Sequence, residues 1–575
     1  MPRRIHLELP AEDHPDEMAA GEIALLAAQA MQVPVQSLQE VRLHKYSFDA
    51  RARHMRWVLT LEVWEQEEAA PPARVPTLTP IAKVSSQAPK AVVIGAGPAG
   101  LFAALDLLCG GFQVVVLERG KSVQDRRRDV AALNRGEAVD ENSNYCFGEG
   151  GAGTYSDGKL YTRSGDPEAV REILEILVQH GAPESILTSW RPHVGSNRLP
   201  KVIEALRASL VAGGCDYRLE CKAESLRVQN GRVTGVRLHD QQELPADLVV
   251  LATGHSSLQA LQMATEAGAP AEAKGFALGV RVEHAQKWLD RRQYHGRKEQ
   301  AHLPPSFYEL KTACRERGVY SFCMCPGGWV VPSQTLPESL VVNGMSLSKR
   351  DSPYANSGIV VSLEPKDWCG RRGARWGWPE TLRQAAALSQ DPMLHEVIQD
   401  ASGKAPVPVA EGRLPIHPAV DPFFGIRLQR ALEALAWHAG GGANRAPAQR
   451  LDDFVAGNES LKEPLASSYL PGLKAADFRK ILPKGLWQRL REGFLAFDAK
   501  IPGFLSEYGQ MIGVETRTSS PVRLLRDTES LQSPGLSGLY PCGEGAGYAG
   551  GIISAALDGR RVAQAARLNL KGIQP

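Results

Sequence analysis

The stretch from Lys90 to Ala104 constrains the fold of this chain more than any other. It reads Lys-Ala-Val-Val-Ile-Gly-Ala-Gly-Pro-Ala-Gly-Leu-Phe-Ala-Ala, an apolar strand pattern that runs into glycines and then into a helix pattern. In a dinucleotide-binding fold the first glycine permits a tight turn, the second lets the backbone approach a pyrophosphate, and the third lets the helix pack closely on the sheet. Gly95, Gly97 and Gly100 fit these three roles. The stretch therefore predicts a nucleotide-binding turn followed by a helix from about Pro98 to Cys109.

A second strand pattern, Phe112–Leu117, ends in Glu118. Glu118 lies 18 residues beyond Gly100, which is close to the interval expected for a carboxylate that binds a ribose. The free N–H groups and the dipole at the start of the intervening helix would favour phosphate oxygens. This unit alone does not distinguish FAD from NAD.

Composition limits the kinds of protein this chain can be. At 575 residues it is too long for one ordinary core, so two or three domains are expected. With 66 basic and 64 acidic residues the formal net charge is +2, which argues against nucleic acid as a partner. Nine cysteines at irregular spacings, without a CxxC pair, favour reduced thiols. Because no apolar leader or unbroken apolar span is seen, we expect a cytoplasmic protein without a membrane span.

Residues 1–66 predict a small βαββ module. Strand and helix patterns follow one another there at Ile5–Leu9, Glu22–Met31, Val41–Phe48 and Met55–Trp64. Residues 67–88 are rich in proline and alanine and have no periodicity, which predicts a linker.

A glycine-rich loop follows Glu118, between about Asn142 and Lys159. Successive backbone N–H groups in such a loop can form a concave anion site, and missing side chains let a flat ring approach. Thr154 and Asp157 add polar groups, which favours a ligand site. A flexible surface loop is the alternative.

The middle of the chain first predicts two helices, at about Pro167–His180 and Leu199–Gly213. Three strand patterns then predict a β-meander: Tyr217–Cys221, Glu224–Gln229 and Val233–Leu238. The next strand, from Ala246, ends in Ala252-Thr253-Gly254, which resembles the second FAD-domain signature of glutathione-reductase-like flavoproteins.

From about residue 276 the pattern changes to separated strands, which suggest an antiparallel sheet in a second domain. These strands are Phe276–Val282, Val319–Cys325, Trp329–Val331, Leu340–Met345 and Ile359–Leu363. Near the C-terminus, the stretch from Gly538 to Ser554 is again a strand, a glycine loop and the start of a helix.

Three nucleotide-type signatures in this order are expected of a discontinuous FAD-binding domain, whereas an NAD-only enzyme needs the first alone. Glu544 then stands where an aspartate commonly binds the ribitol chain, and the helix after Gly551 points its N-terminus at the flavin. No second strand-GxGxxG-helix unit remains for NAD(P)H. We predict an α/β protein with a Rossmann-type FAD-binding domain (residues 89–272 and 506–575), an inserted α+β antiparallel-sheet substrate domain (273–505) and the N-terminal module.

Four segments show a family resemblance over nearly the whole chain: Glu141–Leu160, Phe322–Gly328, Val342–Ser346 and Glu515–Arg523. They are similar to a bacterial family of uncharacterised FAD-dependent dehydrogenases, which more distantly resembles geranylgeranyl-reductase-type flavoproteins. The resemblance implies bound FAD and a sheet-based substrate domain over the flavin, but no substrate. After Gly254-His255-Ser256 the family continues with Ala-Arg, whereas this chain has Ser257-Leu258.

The predicted cofactor-binding residues lie on the glycine-rich turns and beside them. They are Gly95, Ala96, Gly97, Pro98, Ala99, Gly100, Glu118, Arg119, Gly150, Gly151, Gly153, Thr154, Asp157, Gly158, Ala223, Ala252, Thr253, Gly254, Gly543, Glu544, Gly550, Gly551 and Ile552. The candidate catalytic residues are Cys323, Cys325, Lys159, Arg517 and His255. Arg517 and Arg523 could clamp an anionic substrate, and Lys159 could polarise the flavin or a substrate carbonyl. Alternatively, these residues form ion pairs within the domain, and His255 could be structural. No metal site is predicted, because Cys323-x-Cys325 has no second ligand pair at a suitable spacing.

Strand alternation in Val319–Cys325 places Ser321, Cys323 and Cys325 on one face and the aromatic side chains on the other. The aromatic face then suits the core. The resemblance implies that the thiol face looks towards the flavin cavity, as the corresponding sheet does in the reductases that this family resembles. Residues two apart in a strand have Cα atoms about 6.6 Å apart, near the upper limit for a disulfide, which favours two free thiols. The alternative is that both cysteines serve only as small buried side chains that pack in the core.

These features predict an FAD-dependent oxidoreductase that moves a hydride or electrons between an unidentified small molecule and, where needed, an electron-donor partner. Two alternatives stay open. One is a flavin monooxygenase. The other is a flavin-containing binding module in which Arg42, Lys45, Arg51, Arg53 and Arg56 dock RNA or a protein.

Overall fold

The structure, a computed structural model, describes residues 2–50, 55–66, 84–162, 164–296, 303–396, 418–458 and 462–570. The strands in these residues are β1 (Arg3–Pro10), β2 (Leu38–Asp49), β3 (Arg56–Glu65), β4 (Lys90–Ile94), β5 (Gln113–Leu117), β6 (Asp216–Arg218), β7 (Ala223–Gln229), β8 (Arg232–Leu238), β9 (Glu243–Pro245), β10 (Leu248–Leu251), β11 (Ala271–Ala273), β12 (Phe276–Ala285), β13 (Lys311–Cys314), β14 (Arg317–Cys325), β15 (Trp329–Pro332), β16 (Val342–Met345), β17 (Tyr354–Leu363), β18 (Ala446–Arg450), β19 (Leu473–Ala475), β20 (Gly509–Glu515), β21 (Val522–Leu524) and β22 (Leu539–Pro541).

The α-helices are α1 (Ala20–Met31), α2 (Pro98–Cys109), α3 (Val123–Asn134), α4 (Pro167–Gln179), α5 (Leu199–Ala212), α6 (Leu258–Glu266), α7 (Gln286–Gln293), α8 (Gly370–Trp376), α9 (Trp378–Leu388), α10 (Phe424–Gly440), α11 (Leu451–Ala456), α12 (Lys484–Lys500) and α13 (Ile552–Leu570). The helix predicted after the first glycine turn, from about Pro98 to Cys109, is confirmed at both ends. Pro98 occupies its first turn, where a backbone N–H would have no partner within the helix, so the missing N–H costs nothing.

A five-stranded sheet has the order β22-β10-β4-β5-β6, and all its pairs are parallel. Its apolar strands are buried together with α2, α5 and α13 in one core. The strands that lead into the three predicted signatures, β4, β10 and β22, are neighbours. Because carboxyl ends of parallel strands meet at one edge, the three glycine turns come together there.

A seven-stranded sheet has the order β13-β14-β17-β12-β20-β18-β19. It is antiparallel except for the parallel β18–β19 pair at its edge. Two predicted members are absent from it, since β15 and β16 pair only with each other. The strand β20, which follows the boundary predicted at 505, hydrogen-bonds to β12 inside this sheet.

The predicted meander is wrong in its first strand. Residues 216–218 form β6, which pairs in parallel with β5 at the edge of the five-stranded sheet. The meander consists instead of β7, β8 and β9, in a small antiparallel sheet of their own. Residues 217–221 alternate between apolar and polar side chains, which fits either sheet, and pairing across the chain decides which one the segment joins.

In the region predicted as an N-terminal βαββ module, β1, α1, β2 and β3 follow one another, the sheet order is β1-β3-β2 and α1 packs on the sheet. Two of the basic residues proposed for docking are already paired, Arg42 with Glu40 and Arg56 with Glu8. Arg51 and Arg53 lie outside the described residues, as does most of the predicted linker.

The N-terminal module is attached to the body of the protein through β2. The Tyr46 N–H donates to the Thr188 carbonyl at 3.0 Å, and the Trp190 N–H donates to the Tyr46 carbonyl at 3.1 Å. Arg191, the next residue, lines the large cavity described below. The module thus braces the segment that forms part of the cavity wall.

A buried ion pair ties β12 to β20 in the seven-stranded sheet. The Arg281 Nε and the Glu515 Oε2 are 2.8 Å apart, and a second hydrogen bond of 3.1 Å makes the pair bidentate. Arg281 also donates to Asn356 Oδ1 and to the Cys323 carbonyl. Neither side chain of the pair is exposed by more than 2%.

Arg281→Met is expected to lower the free energy of unfolding by about 3–5 kcal/mol, because it leaves the Glu515 carboxylate buried without a counter-charge. Urea unfolding measures this loss. Arg4→Met is the matched control, since the Arg4–Glu62 pair has the same 2.8 Å separation on the surface and is worth about 1 kcal/mol or less. Equal losses in the two variants would contradict the importance given to the buried pair.

Candidate active site

One cavity of about 1200 Å³ extends from the carboxyl edge of the five-stranded sheet to β13 and β14 of the seven-stranded sheet. The turns after β4, β10 and β22 line one end of it. Tyr161, Arg191, Lys311 and Tyr320 line the other end. Such a volume exceeds the roughly 300–1,000 Å³ of common small-molecule pockets, so a long ligand and a second molecule can share it.

The first glycine turn leaves Gly97 facing the cavity. A Cβ on Gly95 would lie 2.4 Å from the Ala252 carbonyl oxygen, and one on Gly100 would lie 1.9 Å from the Gly95 carbonyl oxygen. A Cβ on Gly97 would meet only the Gly151 Cα, at 3.8 Å. Gly95 and Gly100 are therefore required by packing, whereas the protein itself does not require a glycine at 97.

The glycine-rich loop runs across the starts of α2 and α13. A Cβ on Gly151 would lie 3.1 Å from the Gly97 Cα, and one on Gly153 would lie 2.9 Å from the Ile552 side chain. The free N–H groups in the first turns of both helices are thereby held beside the same loop. This arrangement suits a ligand with negatively charged or electron-rich oxygens at two points.

Arg126 on α3 shapes this loop from inside the protein. Its guanidinium is fully buried and donates to the five carbonyl groups of Asn144, Tyr145, Gly148, Glu149 and Gly151. Since the donors of a guanidinium are fixed in a plane, these bonds set the path of the loop.

The Glu118 carboxylate lies at the end of β5 and lines the cavity. It accepts hydrogen bonds from the N–H groups of Ala96, Gly120 and Gly148. Three backbone donors hold it in place between the first turn and the glycine-rich loop, as a ribose-binding carboxylate requires. Arg119 next to it also lines the cavity, with its guanidinium 4.5 Å from the centre of the Phe147 ring.

The third turn, after β22, presents Glu544 to the cavity. Its carboxylate makes no hydrogen bond or ion pair with any residue that the structure describes. Burial raises the pKa of Glu544 to about 7, although the positive charge of Lys274 opposes this. A ligand hydroxyl would supply the missing hydrogen bond.

Most of the predicted cofactor-binding residues line the cavity. These are Gly95, Gly97, Pro98, Ala99, Glu118, Arg119, Gly151, Gly153, Asp157, Gly158, Ala223, Ala252, Thr253, Gly254, Glu544, Gly550, Gly551 and Ile552. Behind the wall lie Ala96, Gly100, Gly150, Thr154 and Gly543. The structure therefore brings together residues that are more than 450 positions apart in the chain.

Lys159 connects the glycine-rich loop with β14. Its Nζ lies 2.6 Å from Asp157 Oδ2 and 3.7 Å from the Sγ atoms of both Cys323 and Cys325. Burial lowers the pKa of Lys159, but the negative charge of Asp157 and the neighbouring cysteine sulfurs outweigh it, so the pKa lies above its ordinary value. The ammonium group thus stays charged next to two sulfur atoms.

The alternation predicted for β14 is wrong at its end. A bulge between Phe322 and Cys325 puts one extra residue opposite β17, and Cys323 has a φ of +46°. The aromatic side chains are not confined to the core either, because Tyr320 and Phe322 are half-buried and line the cavity. Cys323 lines it too, and both cysteines are free thiols.

Two further candidate catalytic residues, Arg517 and His255, also line the cavity. Arg517 forms a bidentate pair with the buried Glu433 and donates to Thr335, so its charge is already neutralised. Burial, together with the charge of Arg517, lowers the pKa of His255 to about 4, so the imidazole is neutral at pH 7. Arg523, the other suggested clamp, pairs with Glu272.

Two structural supports of the site were missed in the sequence. Arg126 is one of three consecutive arginines, and nothing in that run shows which is buried. Asp558 on α13 accepts from the Gly543 N–H at 2.8 Å and forms a bidentate pair with Arg526, which fixes the third turn. Its position inside a helix gives no signal of this role.

A comparison with known proteins shows the family to which this chain belongs. A protein of Clostridium beijerinckii, named only as uncharacterised, is 36% identical over 476 residues, which is 82% of this chain and 80% of that protein. The chain belongs to the same family as this protein. A family model described as "FAD-dependent protein, C-terminal domain-like" matches residues 275–386 and 410–518, and a domain of unknown function matches residues 1–64. The first of these matches points to FAD.

Solved structures align at low similarity. They include CtdE in complex with FAD, with 11% identity over 84% of this chain and 85% of that chain and a TM-score of 0.30. Glycerol-3-phosphate dehydrogenase from Bacillus halodurans, complexed with FAD, aligns with 14% identity over 49% of this chain and 50% of that chain, with a TM-score of 0.26. FqzB aligns with 15% identity over 49% of this chain and a TM-score of 0.24, and the chain spans 56% of its length.

No described helix combines the length and the apolar character that crossing a membrane demands. Among the described residues, no three His, Cys, Asp or Glu side chains are grouped so that they could hold a metal ion.

The residues present fit FAD. Gly97 leaves space where a Cβ would meet no protein atom closer than 3.8 Å, at the start of a helix with free N–H groups. Glu118 is held by three backbone donors, and the Glu544 carboxylate has no partner among the described residues. A pyrophosphate, a ribose and a ribitol chain would meet these three features in turn.

The pKa of Glu544 leads to a pH prediction for the protein without cofactor. Folded Glu544 holds its proton up to about pH 7, whereas the unfolded side chain loses it near its ordinary pKa of 4.5. The unfolded state therefore binds fewer protons between these values, so stability falls as pH rises from about 4.5 to 7. The measurement is the thermal unfolding temperature of the wild type minus that of Glu544→Gln. This difference should fall as pH rises from about 4.5 to 7, and a pH-independent difference would contradict the prediction.

Proposed function

We propose that this protein is an FAD-dependent oxidoreductase that transfers a hydride or electrons between an unidentified small molecule and bound flavin. The observation that carries the proposal is the meeting of three glycine turns, from three neighbouring parallel strands, at one cavity. The same cavity continues to a second sheet, where a substrate can lie. The family model with its FAD-dependent description supports the same reading.

Each part of the cofactor has a counterpart in the chain. The N–H groups at the start of α2 would bind the pyrophosphate beside Gly97, and Glu118 would accept hydrogen bonds from the adenosine ribose. Glu544 would accept a hydrogen bond from the ribitol chain. The first turn of α13, next to Gly551, would donate to the flavin ring and stabilise negative charge on it.

When bound, FAD supplies a ring that can accept or give up a hydride. The chain's own contribution is to bind and orient. The buried wall formed by the glycine-rich loop keeps water from one side of the site, and β14 closes the opposite side. His255 stays neutral at pH 7, so it can donate or accept a hydrogen bond without adding charge.

The domain division follows from this proposal. Residues 89–272 and the segment after β20 would form the FAD-binding domain, and the seven-stranded sheet with its helices would form the substrate domain. We further propose a cytoplasmic protein, because its nine cysteines are all free thiols. An electron-donor partner is left for experiment, whereas the pairing of Arg42 and Arg56 with carboxylates argues against an RNA partner.

Gly97→Ala tests the cofactor proposal directly. The added methyl group meets no protein atom closer than 3.8 Å, so the variant should fold with the circular dichroism of the wild type. It should nevertheless lose at least about nine-tenths of its bound FAD, because the methyl group lies on the pyrophosphate path. Absorbance near the flavin bands and analysis of released nucleotide measure this.

Gly165→Ala is the control, since a Cβ at this exposed position also meets nothing within 4 Å. It should retain FAD like the wild type. A Gly97→Ala protein with full FAD content would overturn the assignment of the first turn. Wild-type protein that is colourless and cannot be reconstituted with FAD would overturn the proposed function.

A further inference from the structure

The two thiols of β14 share one ammonium group. Lys159 Nζ lies 3.7 Å from Cys323 Sγ and 3.7 Å from Cys325 Sγ, so the two sulfur atoms cannot be separated by more than twice that distance. Cys325 Sγ also lies 3.2 Å from the Cys323 carbonyl oxygen. The bulge makes the strand irregular here, so the Cα spacing of a regular strand no longer argues against a bond between the sulfur atoms.

The charges around the thiols leave one positive charge without a carboxylate. Lys159 and Arg281 lie beside them, and Arg350 shares the Asp157 carboxylate with Lys159. Asp157 faces Lys159 and Arg350, and Glu515 faces Arg281. A thiolate would balance the third cation.

Two neutral groups lie near this cluster, His193 beside Asp157 and Tyr161 beside Lys159 and Cys323. Burial, with the charge of Arg350, lowers the pKa of His193 to about 4, so its imidazole adds no charge at pH 7. Burial raises the pKa of the Tyr161 hydroxyl, which stays protonated. A hydrogen bond from Cys325, together with Lys159 and Arg281, lowers the pKa of Cys323 well below its ordinary value, whereas burial raises that of Cys325.

The second thiol beside the first helps to distinguish thiol–disulfide exchange from the addition of a thiolate to another electrophile. A single thiolate is enough to add to an electrophile, and the neighbouring cysteine would then have no role. In thiol–disulfide exchange, by contrast, a second thiol releases the mixed disulfide that the first one forms. The pairing of both sulfur atoms with one ammonium group therefore favours disulfides over other electrophiles.

We propose that Cys323 and Cys325 form a dithiol that reduces disulfide substrates, with Cys323 as the attacking thiolate and Lys159 as its counter-ion. The Cys323 thiolate attacks one sulfur of the substrate disulfide, which forms a mixed disulfide and releases one thiolate product. Cys325 then attacks Cys323 Sγ, its proton goes to the departing sulfur, and a Cys323–Cys325 disulfide remains. Two electrons and one proton restore the Cys323 thiolate and the Cys325 thiol, and this last step rests on the proposed function, in which reduced flavin supplies them.

The first experiment measures thiolate character without any flavin chemistry. Purified protein is pulsed with iodoacetamide between pH 5 and 9, and the labelled cysteines are mapped by mass spectrometry. Cys323 should react at pH 6, whereas a thiol of ordinary pKa, about 8.5, is only a few per cent ionised at pH 7. Lys159→Gln should slow labelling of Cys323 at pH 7 by about tenfold or more. Lys222→Gln, which removes another lysine of the cavity wall, should not change it.

The second experiment follows the exchange itself with the aromatic disulfide 5,5′-dithiobis(2-nitrobenzoate). Cys109→Ser is the parent protein, because Cys109 is exposed and would react on its own. The parent should rapidly release two thiol equivalents per chain and form the Cys323–Cys325 disulfide. Adding Cys325→Ser should give one equivalent and a stable mixed disulfide on Cys323, and adding Cys323→Ser should give no rapid release. Cys146→Ser, which removes another thiol of the cavity wall, should behave like the parent.

The proposal is overturned if the Cys323→Ser protein releases thiol as fast as the parent, or if the parent releases one equivalent and forms no internal disulfide. Both thiol experiments are run on FAD-loaded and on FAD-free protein. If the proposed function fails and no FAD binds, the rapid release of two equivalents still occurs. If only the dithiol proposal fails, the protein retains FAD but forms no Cys323–Cys325 disulfide. Reduced FAD then has no protein disulfide to reduce.

Discussion

The buried guanidinium of Arg126 is the interaction on which the site depends. Five carbonyl groups of the glycine-rich loop converge on it, so a loop with many glycines is held in a defined path. That path brings Gly151 to the start of α2 and Gly153 to the start of α13. It also sets the position of Lys159, which follows in the chain and reaches across the cavity to β14. Losing this one side chain would loosen both ends of the cavity.

Charges buried near the cavity are mostly neutralised by the protein. Arg281 is paired with Glu515 and Arg517 with Glu433, each in bidentate geometry. Breaking such a pair is strongly destabilising, whereas the intact pair stabilises the fold little more than apolar residues of similar volume would. Buried pairs therefore fix the arrangement of a site more than they stabilise the fold. The groups left without a partner are the informative ones. Glu544 is of this kind, and near the thiols the single carboxylate of Asp157 is shared by Lys159 and Arg350.

Local patterns predicted the parts of the fold that local chemistry decides. Helix α2 has both predicted ends because Pro98 and the glycines around it leave one way to start a helix. The three glycine turns could be placed at one edge because parallel strands share their direction. The bulge in β14 could not be predicted, since Cys323 carries no feature that excludes regular alternation and the partner strand imposes the irregularity.

Contacts between distant segments account for the rest of what sequence reasoning missed. The segment at 216–218 joins the parallel sheet through pairing with β5, about a hundred residues away. The sequence left open whether Arg517 holds an anion or forms an ion pair within its domain, and the structure places Glu433 beside it. In each instance the residue type was informative about chemistry, whereas its partner depended on the folded chain.

The central claim is that one FAD molecule spans the three glycine turns, and a crystal structure of the purified protein with FAD tests it most directly. The account predicts electron density with the pyrophosphate at the start of α2, the ribitol hydroxyls within hydrogen-bond distance of Glu544, and the flavin ring between the glycine-rich loop and β14. Density for FAD elsewhere, or a nucleotide at the first turn with the other two turns empty, would contradict it.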